Sequence, residues 1–170
     1  AEVVEVDLPT KADFDLAVDQ VLLGAFRSSG QKCTATSRLV VTEGIADRFL
    51  DALLARANAL RVGDPTDDGT EMGPVVSGTA QSGITAGIRT AVAQGCEVLA
   101  GGGAYSDGPL AEGFFIAPTV LELTGDADVW NEELFGPVLA VRRAADADQA
   151  FDLANDSEFG LSAAVFTQDL

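Results

Sequence analysis

The chain has 170 residues, the size of one ordinary domain, and 47 % of them are apolar, enough to bury a full core and to exclude disorder. Its net charge of −17, from 10 Lys+Arg against 27 Asp+Glu, repels nucleic acid and anionic membrane surfaces, and no apolar run is long enough to span a bilayer. There is no histidine, which excludes Ser-His and Cys-His nucleophiles and histidine-ligated metal; catalysis must draw on Cys, carboxylates, Lys, Tyr or an external cofactor.

The opening residues, AEVVEVDLPTKADFD, are acidic and show neither a clear first element nor the basic and apolar regions of a signal peptide, so a cytoplasmic protein is expected. Asp13 reads as a helix N-cap, followed by Phe14, Ala17, Val18, Val21, Leu22 and Ala25 at helical spacing, with a stop before Ser28-Ser29-Gly30. Arg38 to Thr42 reads as a strand and Ile45 to Leu60 as a second helix, with Phe49 and Leu53 on its apolar face. Turn clusters follow at Gly63-Asp64-Pro65 and Asp67-Asp68-Gly69. A third helix is expected from Ser77 to Gln94, stopped by Gly95. Cys96 to Leu99, Thr119 to Leu123 and Val138 to Val141 read as strands, Asp146 to Ala154 as a short helix, and Leu161 to Phe166 as a last strand. This alternation predicts an α/β fold with an open, mostly parallel sheet and helices on both faces. No internal repeat or linker divides residues 1–170, and both ends read as cut from something longer. Only Lys11 and Lys32 are lysines; the arginine bias and acidity fit a salt-adapted cytoplasm and equally a GC-rich genome.

Two cysteines do not make a disulfide framework. Cys33 lies in the connection Ser29-Gly30-Gln31-Lys32-Cys33-Thr34-Ala35, between a helix and a strand, where a thiol is partly exposed and Lys32 adds a charge that favours the thiolate. A reactive thiol and a small apolar filler both remain open there; Cys96, in the run Cys-Glu-Val-Leu-Ala, reads as filler. Gly30-Gln31-Lys32 is not a phosphate loop, and Gly101-Gly102-Gly103 lacks the dinucleotide fingerprint. Glu132-Glu133-Leu134-Phe135-Gly136-Pro137 is either a surface turn or a ligand-facing loop at a strand edge.

Phe26, then Gly30-Gln31-Lys32-Cys33-Thr34-Ala35 and Ser37-Arg38, resembles the active-site cysteine motif of the aldehyde dehydrogenases. Glu132 to Val138 resembles the family's second hallmark. Gly63 to Val75 and Gly113 to Val120 look like two further family segments, in the family's order. The resemblance implies that Cys33 is the nucleophile, that Glu133 holds the nicotinamide ribose hydroxyls, and that Phe135 packs beside the nicotinamide of NAD or NADP. It also implies that Lys32 and Thr34 shape the aldehyde pocket. In that family a thiolate adds to a small-molecule aldehyde, and the oxyanion is held by the cysteine N–H and an asparagine. Hydride then leaves, and a glutamate-activated water hydrolyses the thioester. The cysteine loop looks most like members acting on semialdehydes, and the full-length form is expected to be a homo-oligomer. The family's asparagine, its general-base glutamate in a Glu-Leu-Gly-Gly run, its cofactor-binding sheet and its assembly strand are not found in these residues. An inactive fragment or assembly module, and a cofactor-free cysteine hydrolase, are the competing expectations.

Overall fold

Successive residues of a strand face opposite sides of its sheet, so strands apolar at almost every position need cover on both faces. The computed structural model, which describes residues 2–5 and 11–167, supplies that cover. Its elements are β1 (Glu2–Glu5), α1 (Lys11–Phe26), β2 (Arg38–Thr42), α2 (Glu43–Ala59), α3 (Gly78–Ala93), β3 (Glu97–Ala100), β4 (Thr119–Glu122), β5 (Val138–Ala144), α4 (Ala147–Asn155) and β6 (Ala163–Phe166). They form one six-stranded sheet in the order β3-β4-β5-β2-β1-β6. Every neighbouring pair is parallel except β3 and β4.

The period of two splits the core. Leu39, Val41, Val120, Leu139 and Val141 pack under α1 and α2, where Phe14 and Phe49 meet edge to face at 5.6 Å. Val40, Leu121 and Ala140 face the other way and pack under α3 and α4. The expected mostly parallel sheet with helices on both faces is the observed one.

Helix ends follow local chemistry. The Ser77 hydroxyl accepts from the Ala80 N–H and caps α3, and Gly95, at φ 97°, takes the left-handed position just past its end. Asp146 caps α4 by accepting from the Gln149 N–H.

Two expectations need correction. Asp13 is not the N-cap of α1, which begins at Lys11; it lies in the first turn, where a carboxylate offsets the partial positive charge of the helix end. The chain also does have a first element, β1, which pairs with β2 on one side and β6 on the other. Its sequence, Glu-Val-Val-Glu, is too short and too polar to announce a strand, and pairing on both sides decides it.

Phe49 is fully buried at the α1–α2 contact, so Phe49→Ala should remove about 3–5 kcal/mol of stability. The check is the urea midpoint of unfolding; a loss below about 1 kcal/mol would mean that this layer is not a packed core.

Candidate active site

The connection from α1 to β2 is held at both ends. Past Phe26 the backbone turns through three successive left-handed residues, Ser28 (φ 56°), Ser29 (φ 57°) and Gly30 (φ 67°). That conformation is costly for a serine and persists only where the surroundings over-determine it. Ser29 is buried, and its hydroxyl is directed at the carbonyls of Gly73 (2.9 Å) and Pro74 (3.2 Å). At Gly30 only glycine fits, because a Cβ there would lie 2.1 Å from the Gly136 carbonyl oxygen. At the far end, Thr36 is buried against Gly24 of α1, to whose carbonyl its N–H donates at 3.0 Å. Between these anchors the Ala35 N–H closes a tight turn on the Lys32 carbonyl at 2.9 Å. The apex presents Lys32, Cys33 and Thr34 to solvent.

The second loop comes from far along the chain. A 3₁₀ turn at Asp128–Trp130 leads into Glu132 and Glu133, both exposed. Leu134 packs against Gly87 of α3, where an added Cβ would lie 2.3 Å from it. Phe135 is left-handed (φ 49°) with its ring 43 % exposed. Gly136 abuts Gly30, and the Pro137 carbonyl accepts from the Thr119 N–H at the start of β4.

Cys33 and Glu133 line one cleft of about 370 Å³, walled by Trp130, Phe159 and Leu161. Lys32 and Phe135 line a shallower depression beside it, which shares Glu132 and Glu133. Thr34 is exposed and lines neither. Three kinds of residue contribute in ways that the motifs alone do not announce. Gln31 joins the two loops through its side chain. Trp130, Phe159 and Leu161 form walls. Arg38, buried at the start of β2, donates to the Ala154 and Asp156 carbonyls and lies 4.9 Å above the Trp130 ring. Burial lowers the Arg38 pKa from its ordinary value, and the Asp156 charge opposes that shift. Its place within the cysteine motif was the available signal. It pins the end of α4, and the connection from α4 to β6 makes the cleft wall.

The cleft gathers at the amino ends of the parallel strands β2, β5 and β6, since each loop immediately precedes its strand. Open α/β sheets ordinarily bind ligands at the opposite edge. Cys96 is elsewhere and buried; desolvation pushes its thiol above the ordinary value, with the Arg142 charge acting against this.

Comparison with known proteins agrees with the fold. The model of the aldehyde dehydrogenase family matches residues 8–170. Peroxisomal aminoaldehyde dehydrogenase 1 of Malus domestica is 44 % identical over 161 residues, covering 93 % of this chain and 31 % of its own length. Chloroplastic betaine aldehyde dehydrogenase of Beta vulgaris is 40 % identical over 159 residues, covering 93 % of this chain and 31 % of its own. A crystal structure of betaine aldehyde dehydrogenase from Staphylococcus aureus in complex with NAD+ matches with a TM-score of 0.91 at 37 % identity, over 99 % of this chain and 33 % of that one. The chain spans about a third of the length of the curated relatives it matches. With the family model covering nearly every residue and the fold shared throughout, the chain belongs to the aldehyde dehydrogenase family.

Proposed function

We propose that residues 1–170 form the catalytic domain of an NAD(P)-dependent aldehyde dehydrogenase in which Cys33 attacks the aldehyde carbon. The observation that carries this reading is the cleft itself: an exposed free thiol at the apex of an anchored loop shares it with an exposed carboxylate, Glu133. Glu133 makes no ion pair among the described residues, and Phe135 offers a ring face beside it. Two ribose hydroxyls and a flat ring are a chemical match for that pair.

The Cys33 thiolate adds to the carbonyl carbon, a C–S bond forms, and the electron pair moves to oxygen. The Cys33 N–H is this chain's own donor to that oxyanion. A nicotinamide held by Glu133 and Phe135 would supply the two-electron acceptor for the hydride the adduct gives up on becoming a thioester. Water then cleaves the C–S bond of the thioester, releasing the carboxylic acid and returning the thiol. The overall balance is aldehyde, NAD+ and water to acid, NADH and a proton. Lys32 and Thr34, at the exposed apex, border the aldehyde's approach.

For the substrate, a cationic aldehyde is favoured over the semialdehyde suggested by the cysteine loop. Beyond the Glu133 carboxylate assigned to the cofactor, Glu132 adds negative charge to the cleft, and the Arg38 guanidinium is committed to two backbone carbonyls and the Trp130 ring. The relatives named above act on aminoaldehydes and betaine aldehyde. An exposed thiol suits a reducing compartment, in keeping with a cytoplasmic enzyme.

The full-length enzyme should form NADH with an aminoaldehyde at a higher kcat/KM than with a semialdehyde. Equal or reversed preference would remove the substrate assignment, and no NADH with any aldehyde would remove the function. The 170-residue polypeptide alone should accept a single acyl group from an activated ester without sustained NADH formation. Loss of one oxyanion donor and of a positioned base each lowers the rate by about 10²-fold or more.

Iodoacetamide should label Cys33 well before Cys96 in the folded protein, read by mass mapping, because one thiol is exposed and the other is buried. Preferential labelling of Cys96 would sink the nucleophile assignment. Glu133→Gln should raise the KM for NAD by about tenfold or more, as expected for loss of charge-assisted hydrogen bonds, with little change in unfolding midpoint. An unchanged KM would count against a cofactor role for this carboxylate.

A further inference from the structure

The two loops of the cleft are joined by one side chain that neither motif's chemistry uses. The Gln31 Oε1 accepts the Val76 N–H at 2.8 Å, and its Nε2 donates to the Phe135 carbonyl at 3.1 Å. The partners lie 45 and 104 residues away in sequence. The amide orientation is dictated by chemistry: a flip would set N–H against N–H and oxygen against oxygen, breaking both bonds. The Phe135 backbone that receives this bond is left-handed, a conformation an aromatic residue holds only under constraint. The same face is closed by the Gly30–Gly136 backbone contact, and the Val76 segment is tied down by Ser29 on Gly73 and Pro74. Gln31 is two residues before Cys33, and Phe135 is two residues after Glu133.

We propose that Gln31 is a positioning residue that sets the register of the Glu133–Phe135 loop against Cys33, so that cofactor and nucleophile are presented in one geometry. The inference rests on the function proposed above. Gln31 touches neither aldehyde nor cofactor; it acts through the Phe135 carbonyl. Removing its Nε2 donor frees the strained Phe135 backbone to relax and lets Glu133 and the Phe135 ring drift from the thiol, while the cysteine turn keeps its own anchors at Ser29 and Thr36.

The test uses full-length enzyme with Gln31→Glu and Gln31→Met. The first keeps the acceptor for the Val76 N–H and sets a carboxylate oxygen against the Phe135 carbonyl; the second has similar length and neither group. Both should raise the KM and the Kd for NAD by about threefold or more, on the scale of one hydrogen bond at a solvent-accessible position. In both, cofactor-free alkylation of Cys33 by iodoacetamide should stay within about twofold of wild type, since local anchors hold the turn. Amide hydrogen exchange of residues 132–137 should quicken without cofactor. An unchanged NAD affinity in both variants overturns the proposal. So does a parallel fall in NAD affinity, Cys33 alkylation and unfolding midpoint, which is the signature of general destabilisation. Wild-type enzyme without NAD-dependent turnover would overturn the proposed function itself, and this inference with it.

Discussion

The site depends on one close approach, that of the Gly30 backbone to the Gly136 carbonyl. No side chain fits between them, and the left-handed φ of Gly30 is one that other residues adopt only with strain. The approach therefore requires glycine at position 30, while at Gly136 a Cβ would instead meet the Ile84 side chain at 2.5 Å. Everything the cleft offers follows from that meeting. It puts the exposed Cys33 and the exposed Glu133 on one cavity, although 100 residues of chain separate them.

The sheet explains why these loops are neighbours. β2 and β5 are adjacent and parallel, with Arg38 opposite Ala140 and Ser37 accepting from the Ala140 N–H. The segments entering two adjacent parallel strands must emerge side by side at the same edge. β6 enters at that edge too, two strands away beyond β1, and brings the wall that contains Phe159 and Leu161. Arg38 links these facts. It begins β2, and from there it holds the end of α4 by two carbonyls and stacks on Trp130 in the turn before Glu132. Arg142 stacks at 5.1 Å on the same indole, so the acidic loop is clamped by two guanidinium groups in a chain poor in positive charge.

Strain in this site lies outside the cysteine turn. The unfavourable backbone conformations fall on Ser28, Ser29 and Phe135, which frame the loops, while the cysteine turn between Lys32 and Ala35 is an ordinary hydrogen-bonded one. A loop framed in this way loses little further freedom when a ligand arrives, which is the advantage of a preorganised site.

Much of this was legible in one dimension. The 3.6-residue spacing of Phe14, Ala17, Val18 and Val21 and the apolar runs at β2 and β5 announced helices and strands, because burial on one or two faces writes its period into the chain. The Ser77 cap and the Gly95 stop were local, and local chemistry decides helix ends. The cysteine and Glu-Leu-Phe-Gly-Pro motifs were visible because they are short loops of unusual composition between apolar elements. The tertiary structure alone decided the rest. β1 exists because β2 and β6 flank it, and no property of Glu-Val-Val-Glu requires a strand. The antiparallel turn of β3, the arginine clamp on Trp130 and the reach of Gln31 across 104 residues to Phe135 are set by which segments the sheet makes neighbours. A side chain's sequence context carries its chemistry and its local geometry; its distant partners are fixed only when the chain closes on itself.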